Sequence, residues 1–190
     1  ILVQHGGTTI LSETPEIYGA EHLLTRRALS EKVGKKLINR IHWWENYCAC
    51  NGGEMNDNPS PGNKNGGLTT ILEKSLGAVA KSGSAPLTDV YLFAETIRKK
   101  GFVFMDSPGF DPCSVTGQIA SGANIIVFTT GRGSVSGYKP SPCIKLSTNT
   151  AMYKRLSQDM DLNCGFVIAE SVCVERKRVE LFELSIHDAS

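Results

Sequence analysis

The strongest limit on the fold of this 190-residue chain is a set of short, nearly continuous apolar runs that alternate with helical segments. Residues 102–105 (F-V-F-M), 124–128 (N-I-I-V-F) and 144–147 (I-K-L-S) are each too short for a buried helix; the first and third are followed by a capped helix start, the second by a glycine-rich turn. A strand that lacks apolar/polar alternation is buried on both faces, and strands joined through helices run parallel. The expectation is therefore an α/β fold, a mostly parallel sheet with helices on both faces in a three-layer, Rossmann-like arrangement.

The rest of the chain fits around that sheet. Thr8–Ser12 (T-T-I-L-S) reads as a further strand, and Thr14, Pro15 and Glu16 behind it form a helix start, with a capping hydroxyl, a proline in the first turn and an early acid. Ser30 opens a second helix whose Val33, Leu37, Ile38, Ile41, Trp44 and Tyr47 recur at intervals of three and four. Residues 51–67 are dense in Gly, Asn and Pro and read as a functional loop. Residues 68–81 return to helical spacing, Thr88 caps a predicted helix that ends at Gly101, and Asp111-Pro112 starts another. A helix is also expected from Thr150, and residues 172–187 lean towards helix. With neither linker nor repeat in view, residues 1–190 read as one domain.

Charge excludes some partners. Twenty Lys and Arg against 19 Asp and Glu leave a net charge of +1, without the basic surplus of a nucleic-acid protein. No apolar run approaches the roughly 18–20 residues that cross a bilayer, and the first residues do not read as a signal peptide. The six cysteines contain no Cys-x-x-Cys pair, so most of them read as small buried groups in a reducing, cytoplasmic setting.

In an open parallel sheet, ligands bind outside the carboxyl ends of the strands, and the polar residues of this chain gather at those ends. Glu13 and Glu16 follow the first strand, Asp106 and Asp111 the second, Arg132 and Ser134 the third, and Asn149 the fourth. Turns and caps use the same residue types, so no single member is diagnostic. Residues 131–137 (G-R-G-S-V-S-G) match neither the dinucleotide fingerprint nor a P-loop, and read as a cradle for a carboxylate or phosphate gripped by Arg132. Lys64 is the only charge in 58–67, either solvated, a base, or a cation for a substrate carboxylate. His22 with Glu13, Glu16 and Glu21 has donor types for a divalent ion, set against an ordinary surface histidine.

Five blocks together resemble the C-terminal part of the altronate dehydratase/galactarate dehydratase family. They are G-G-T with S-E-T-P-E-I-Y-G-A-E-H-L-L (residues 6–24), N-P-S-P-G-N-K-N-G-G-L-T-T-I-L-E-K-S-L-G (58–77), F-V-F-M-D-S-P-G-F-D-P (102–112), G-A-N-I-I-V-F-T-T-G-R-G-S (122–134), and I-K-L-S-T-N-T with D-M-D-L-N-C-G (144–165). The altronate branch looks the closer. The resemblance implies a hydro-lyase that removes water from a hexonate to give a 2-keto-3-deoxy acid, with a divalent metal, iron(II) or manganese(II). It implies catalytic roles for Glu13, Lys64, Asp106 and Asp111. Substrate binding would fall to Arg132, Ser134, Lys145 and Asn149, and metal ligation to Glu16 and His22. It also implies N-terminal and middle domains of the same enzyme outside this chain, without which the chain would be inactive, and a homo-oligomer. Two rival expectations are a sulfolactate sulfo-lyase large-subunit relative and a non-catalytic anion-binding α/β module.

Overall fold

A computed structural model describes residues 1–169 and 173–188. The α/β class and the parallel strands are as expected, but the strands form two three-stranded sheets. The chain divides into two compact units, Ile1–Gly122 and Ala123–Ser190.

In the first unit, β1 (Thr8–Ser12) leads through a 3₁₀ turn, Thr14–Ile17, to α1 (His22–Thr25) and the long α2 (Glu31–Cys50). Ser30 caps α2 as its sequence indicates, its hydroxyl accepting from the Val33 N–H. Residues 51–67 are less irregular than expected. They hold a 3₁₀ turn, Met55–Asp57, and the short α3 (Pro61–Asn65), capped by Ser60. After α4 (Ile71–Ala80) come β2 (Leu87–Tyr91), β3 (Gly101–Met105) and α5 (Asp111–Ala120).

The sheet order is β1-β3-β2, all parallel, so the F-V-F-M run is the central strand and is buried on both faces. Phe102 and Phe104 join Leu87, Val90 and the α2 residues Val33, Leu37 and Ile41 in the main core. Val103 and Met105 face the other way, with Tyr91, Ile10 and Ile97.

The helix expected from Thr88 to Gly101 is instead β2 and an irregular connection. Thr88, Tyr91, Ala94 and Ile97 mimic helical spacing, but Ala94 adopts a left-handed φ of 60°, which stops a helix. The strand period is masked because Asp89 occupies a buried position, held there by Lys36 at 2.6 Å and Lys99 at 2.9 Å.

In the second unit, β4 (Ile126–Thr130), β5 (Cys143–Ser147) and β6 (Leu162–Asn163) form a parallel sheet in that order. Helix α6 (Thr150–Arg155) lies between β5 and β6, and α7 (Phe166–Ala169) and α8 (Val174–Asp188) follow. The expected helix over 172–187 is α8; Val172 lies outside the described residues. Among the described residues no helix is long and apolar enough to cross a membrane.

Candidate active site

In the first unit, the carboxyl ends of β1 and β3 lie side by side because Ser12 pairs with Met105. The chains leaving those ends are stitched together. The Glu13 N–H donates to Ser107 Oγ at 3.0 Å and the Thr14 N–H to the Ser107 carbonyl at 3.0 Å. Thr14 Oγ1 donates to Asp106 Oδ1 at 2.5 Å. Beneath this turn lies a hydroxyl cluster, with Ser12 Oγ 3.2 Å from Ser107 Oγ and 2.5 Å from Ser114 Oγ, and with Gln118 Nε2 donating to Ser12 Oγ at 3.0 Å. Glu13 itself has φ 74°, a left-handed conformation that a side-chain-bearing residue adopts only when its surroundings impose it.

Four of the predicted site residues meet here. Burial drives the Glu13 carboxyl up to about 8, and the negative charges of Glu16 and Asp111 push the same way, against Lys81 and Lys74. A carboxyl with such a value holds its proton at neutral pH and can give it up or take it back, as general acid–base work demands. Glu16 accepts from Lys74 Nζ at 2.6 Å, and Lys74 also donates to Asn58 Oδ1 at 2.7 Å. This pair closes over Gly109, where a β-carbon would come within 3.0 Å of Asn58 Nδ2 and 3.3 Å of Glu16 Oε1. Asp106 is buried and accepts from Trp44 Nε1 at 2.8 Å and Arg40 at 3.4 Å as well as from Thr14. Asp111 is exposed in the first turn of α5.

Of the other two predicted residues of this unit, His22 is exposed at the start of α1, and Lys64 is exposed in the last turn of α3. Among the described residues, no three His, Cys, Asp or Glu side chains gather to hold a metal ion. The donors in view therefore do not fit a complete ligand set, and the Glu16 carboxylate is already engaged by Lys74.

Residues missed in the sequence are Lys74, Asn58, Arg40, Trp44 and Ser107. Lys74 carries a readable signal, as a charge next to the buried stripe Ile71, Ser75, Val79 of α4 and inside one of the distinctive blocks.

In the second unit, Arg132, Ser134 and Asn149 lie beyond the carboxyl ends of β4 and β5, while Lys145 is in mid-strand, its N–H donating to Asp161 Oδ2 at 2.7 Å. The glycine-rich turn directs three of its backbone donors to nearby hydroxyls. The Arg132 and Gly133 N–H groups point to Thr130 Oγ1 at 3.3 and 3.1 Å, and the Ser136 N–H points to Ser134 Oγ at 3.1 Å. The Arg132 side chain is exposed. Asn149 is a clamp: Oδ1 caps α6 through the Met152 N–H at 2.8 Å, and Nδ2 donates to the Gly131 carbonyl at 2.9 Å. Burial raises the Cys164 thiol, which follows β6, above its ordinary value.

Residues 1–190 match a family model described as D-galactarate/altronate dehydratase, C-terminal. The chain is 38% identical over 190 residues to the galactarate dehydratase (L-threo-forming) of Escherichia coli K12, covering all of this chain and 36% of that protein. It is 37% identical over 189 residues to the altronate dehydratase of Bacillus subtilis 168, again along the whole chain and 38% of the relative. The beta subunit of (2R)-sulfolactate sulfo-lyase from Chromohalobacter salexigens is 31% identical over 195 residues, with 49% of its length covered. The chain thus spans between about a third and a half of the relatives it matches. With the family model matched from first residue to last, the chain belongs to the D-galactarate/altronate dehydratase family, C-terminal part.

Proposed function

We propose that this chain is the acid/base-bearing part of a dehydratase that removes water from a hexonate sugar acid, altronate in the first instance, to leave a 2-keto-3-deoxy acid. The observation that carries the reading is the Glu13 carboxyl, lifted to about 8 at the carboxyl edge of a parallel sheet. Elimination takes a proton from the carbon next to the substrate carboxylate and expels the hydroxyl one carbon further on. Hydroxide is a poor leaving group, so a proton delivered to it as the bond breaks lowers the barrier, and Glu13 holds such a proton at neutral pH. Lys74 has three N–H donors and gives two to Glu16 and Asn58, so a third can meet a substrate oxygen. Asp111, exposed nearby, is the carboxylate proposed to receive the proton taken from carbon.

A divalent metal, iron(II) or manganese(II), enters this proposal only with ligands beyond those the described residues gather, and no step is assigned to it. The proposal also includes cytoplasmic residence, a homo-oligomer, and the N-terminal and middle domains that the relatives' greater length accommodates.

Identity alone does not separate the substrate branches, at 38% to a galactarate dehydratase and 37% to an altronate dehydratase. The deciding assay is 2-keto-acid formation by the full-length enzyme on altronate and on galactarate. Glu13→Gln is expected to lower turnover by about 100-fold or more, within the span of general acid–base catalysis. Undiminished turnover would remove Glu13 from the chemistry. The 31% match to a sulfo-lyase subunit sustains a second reading, which sulfite release from sulfolactate would establish in place of the first.

A further inference from the structure

Asp106 is a carboxylate beside the reacting edge, which suggests an acid or base, but its surroundings argue otherwise. It is only 6% exposed, and it accepts three hydrogen bonds: Thr14 Oγ1 at 2.5 Å and Trp44 Nε1 at 2.8 Å on Oδ1, and Arg40 at 3.4 Å on Oδ2. Arg40 and Trp44 are four residues apart on α2 and so lie on one face of that helix. A carboxylate buried among three donors has its oxygens already engaged and is shielded from a ligand.

The adjacent turn needs a support of this kind. A left-handed φ at a residue with a β-carbon costs about 1–2 kcal/mol, so the conformation of Glu13 persists only where neighbouring bonds enforce it. Those bonds converge on two consecutive residues at the end of β3. Ser107 takes the Glu13 and Thr14 N–H groups, and Asp106 takes the Thr14 hydroxyl. The Asp106 N–H in turn donates to the Tyr91 carbonyl at 2.9 Å, which ties the support to β2.

We infer that Asp106 is a positioning residue: it fixes the strained turn that presents Glu13 and fastens that turn to α2 through Trp44 and Arg40. The inference rests on the acid/base reading of Glu13 for its catalytic consequence, but not for its structural one. A displaced general acid loses rate without losing substrate, because misplacement of about 1 Å can cost on the order of 100-fold.

The test uses the full-length enzyme with Asp106→Ala, Asp106→Asn and Thr14→Val. Thr14→Val removes only the hydroxyl from a fully buried side chain of similar shape, and it carries the test if Asp106→Ala fails to fold. Asp106→Ala and Thr14→Val are expected to lower kcat about 10- to 100-fold with KM within about twofold. Asp106→Asn keeps an acceptor for Thr14 and Trp44 and is expected to recover most of the kcat lost in the alanine variant. Amide hydrogen exchange at Glu13 and Thr14 should quicken by about tenfold or more in Thr14→Val. Wild-type kcat together with wild-type exchange in Thr14→Val would overturn the positioning role. If Glu13→Gln proves fully active while exchange still quickens, the acid/base reading falls and Asp106 remains the holder of the turn.

Discussion

Replacing Glu13 by glutamine should make the protein more stable as pH rises, even as it removes the proposed acid. The carboxyl ordinarily titrates at 4.5 and here titrates at about 8. Between these values the unfolded chain has released the proton and the folded one retains it, so the folded state loses stability as pH rises through that window. Every pH unit between the two values is worth about 1.4 kcal/mol. The interval from 4.5 to about 8 then amounts to about 5 kcal/mol by pH 9, where both states are ionised and the buried charge stands unrelieved. Glutamine keeps the length and polarity of the side chain and is subject to the same left-handed backbone, so strain cancels in the comparison. The assay is urea unfolding from pH 4 to 9, followed through Trp43 and Trp44, which are the only tryptophans and both lie in the first unit. The two proteins should agree near pH 4 and separate progressively, with the variant ahead by several kcal/mol at pH 9. Parallel stability curves would refute the burial argument.

Three further outcomes follow from the packing. Asp89 is drawn down to about 2: burial opposes its ionisation, but hydrogen bonds from Lys36 and Lys99 outweigh that cost. Its contribution is present above the ordinary value of 3.8 and is lost as pH falls towards 2, so Asp89→Asn should cost about 1–2 kcal/mol at pH 7 and almost nothing at pH 2 in denaturant titrations. Gly165→Ala would drive a β-carbon into the backbone of Thr150 and to 2.7 Å from the Asn149 carbonyl carbon, and main chain cannot step aside. A loss of about 2–4 kcal/mol, read as a lowered melting temperature, is expected. Asn149→Ala removes both the cap of α6 and the tie to Gly131, with an expected cost of about 1–2 kcal/mol by the same measurement.

The parts of the fold that are legible in the chain are those whose burial dictates composition. The F-V-F-M strand has to be central because nothing in it can face water, and Ser30 announces α2 through the hydroxyl that caps it. Strand β2 is illegible because its buried Asp89 depends on Lys36, 53 residues away, a pairing that local periodicity does not contain. The division into two sheets is hidden for the same reason, since strand patterns report burial and not which strands pair. In the candidate site, the positions of Glu13, Glu16, Asp106 and Asp111 are legible because strand ends can be read from the chain and are where ligands bind in open parallel sheets. Lys74, Arg40 and Trp44 escape notice because they arrive from helices. Helical spacing explains Trp44 as a packing residue, whereas its indole N–H is given to Asp106.

The proposed chemistry turns on the ionisation of one carboxyl group, which can be observed directly. With glutamate labelled by ¹³C at the side-chain carboxyl, the resonance missing from Glu13→Gln identifies Glu13, and its chemical shift can be followed from pH 4 to 10. A midpoint near 8 is predicted. A midpoint between about 4 and 5, the ordinary glutamate range, would contradict it.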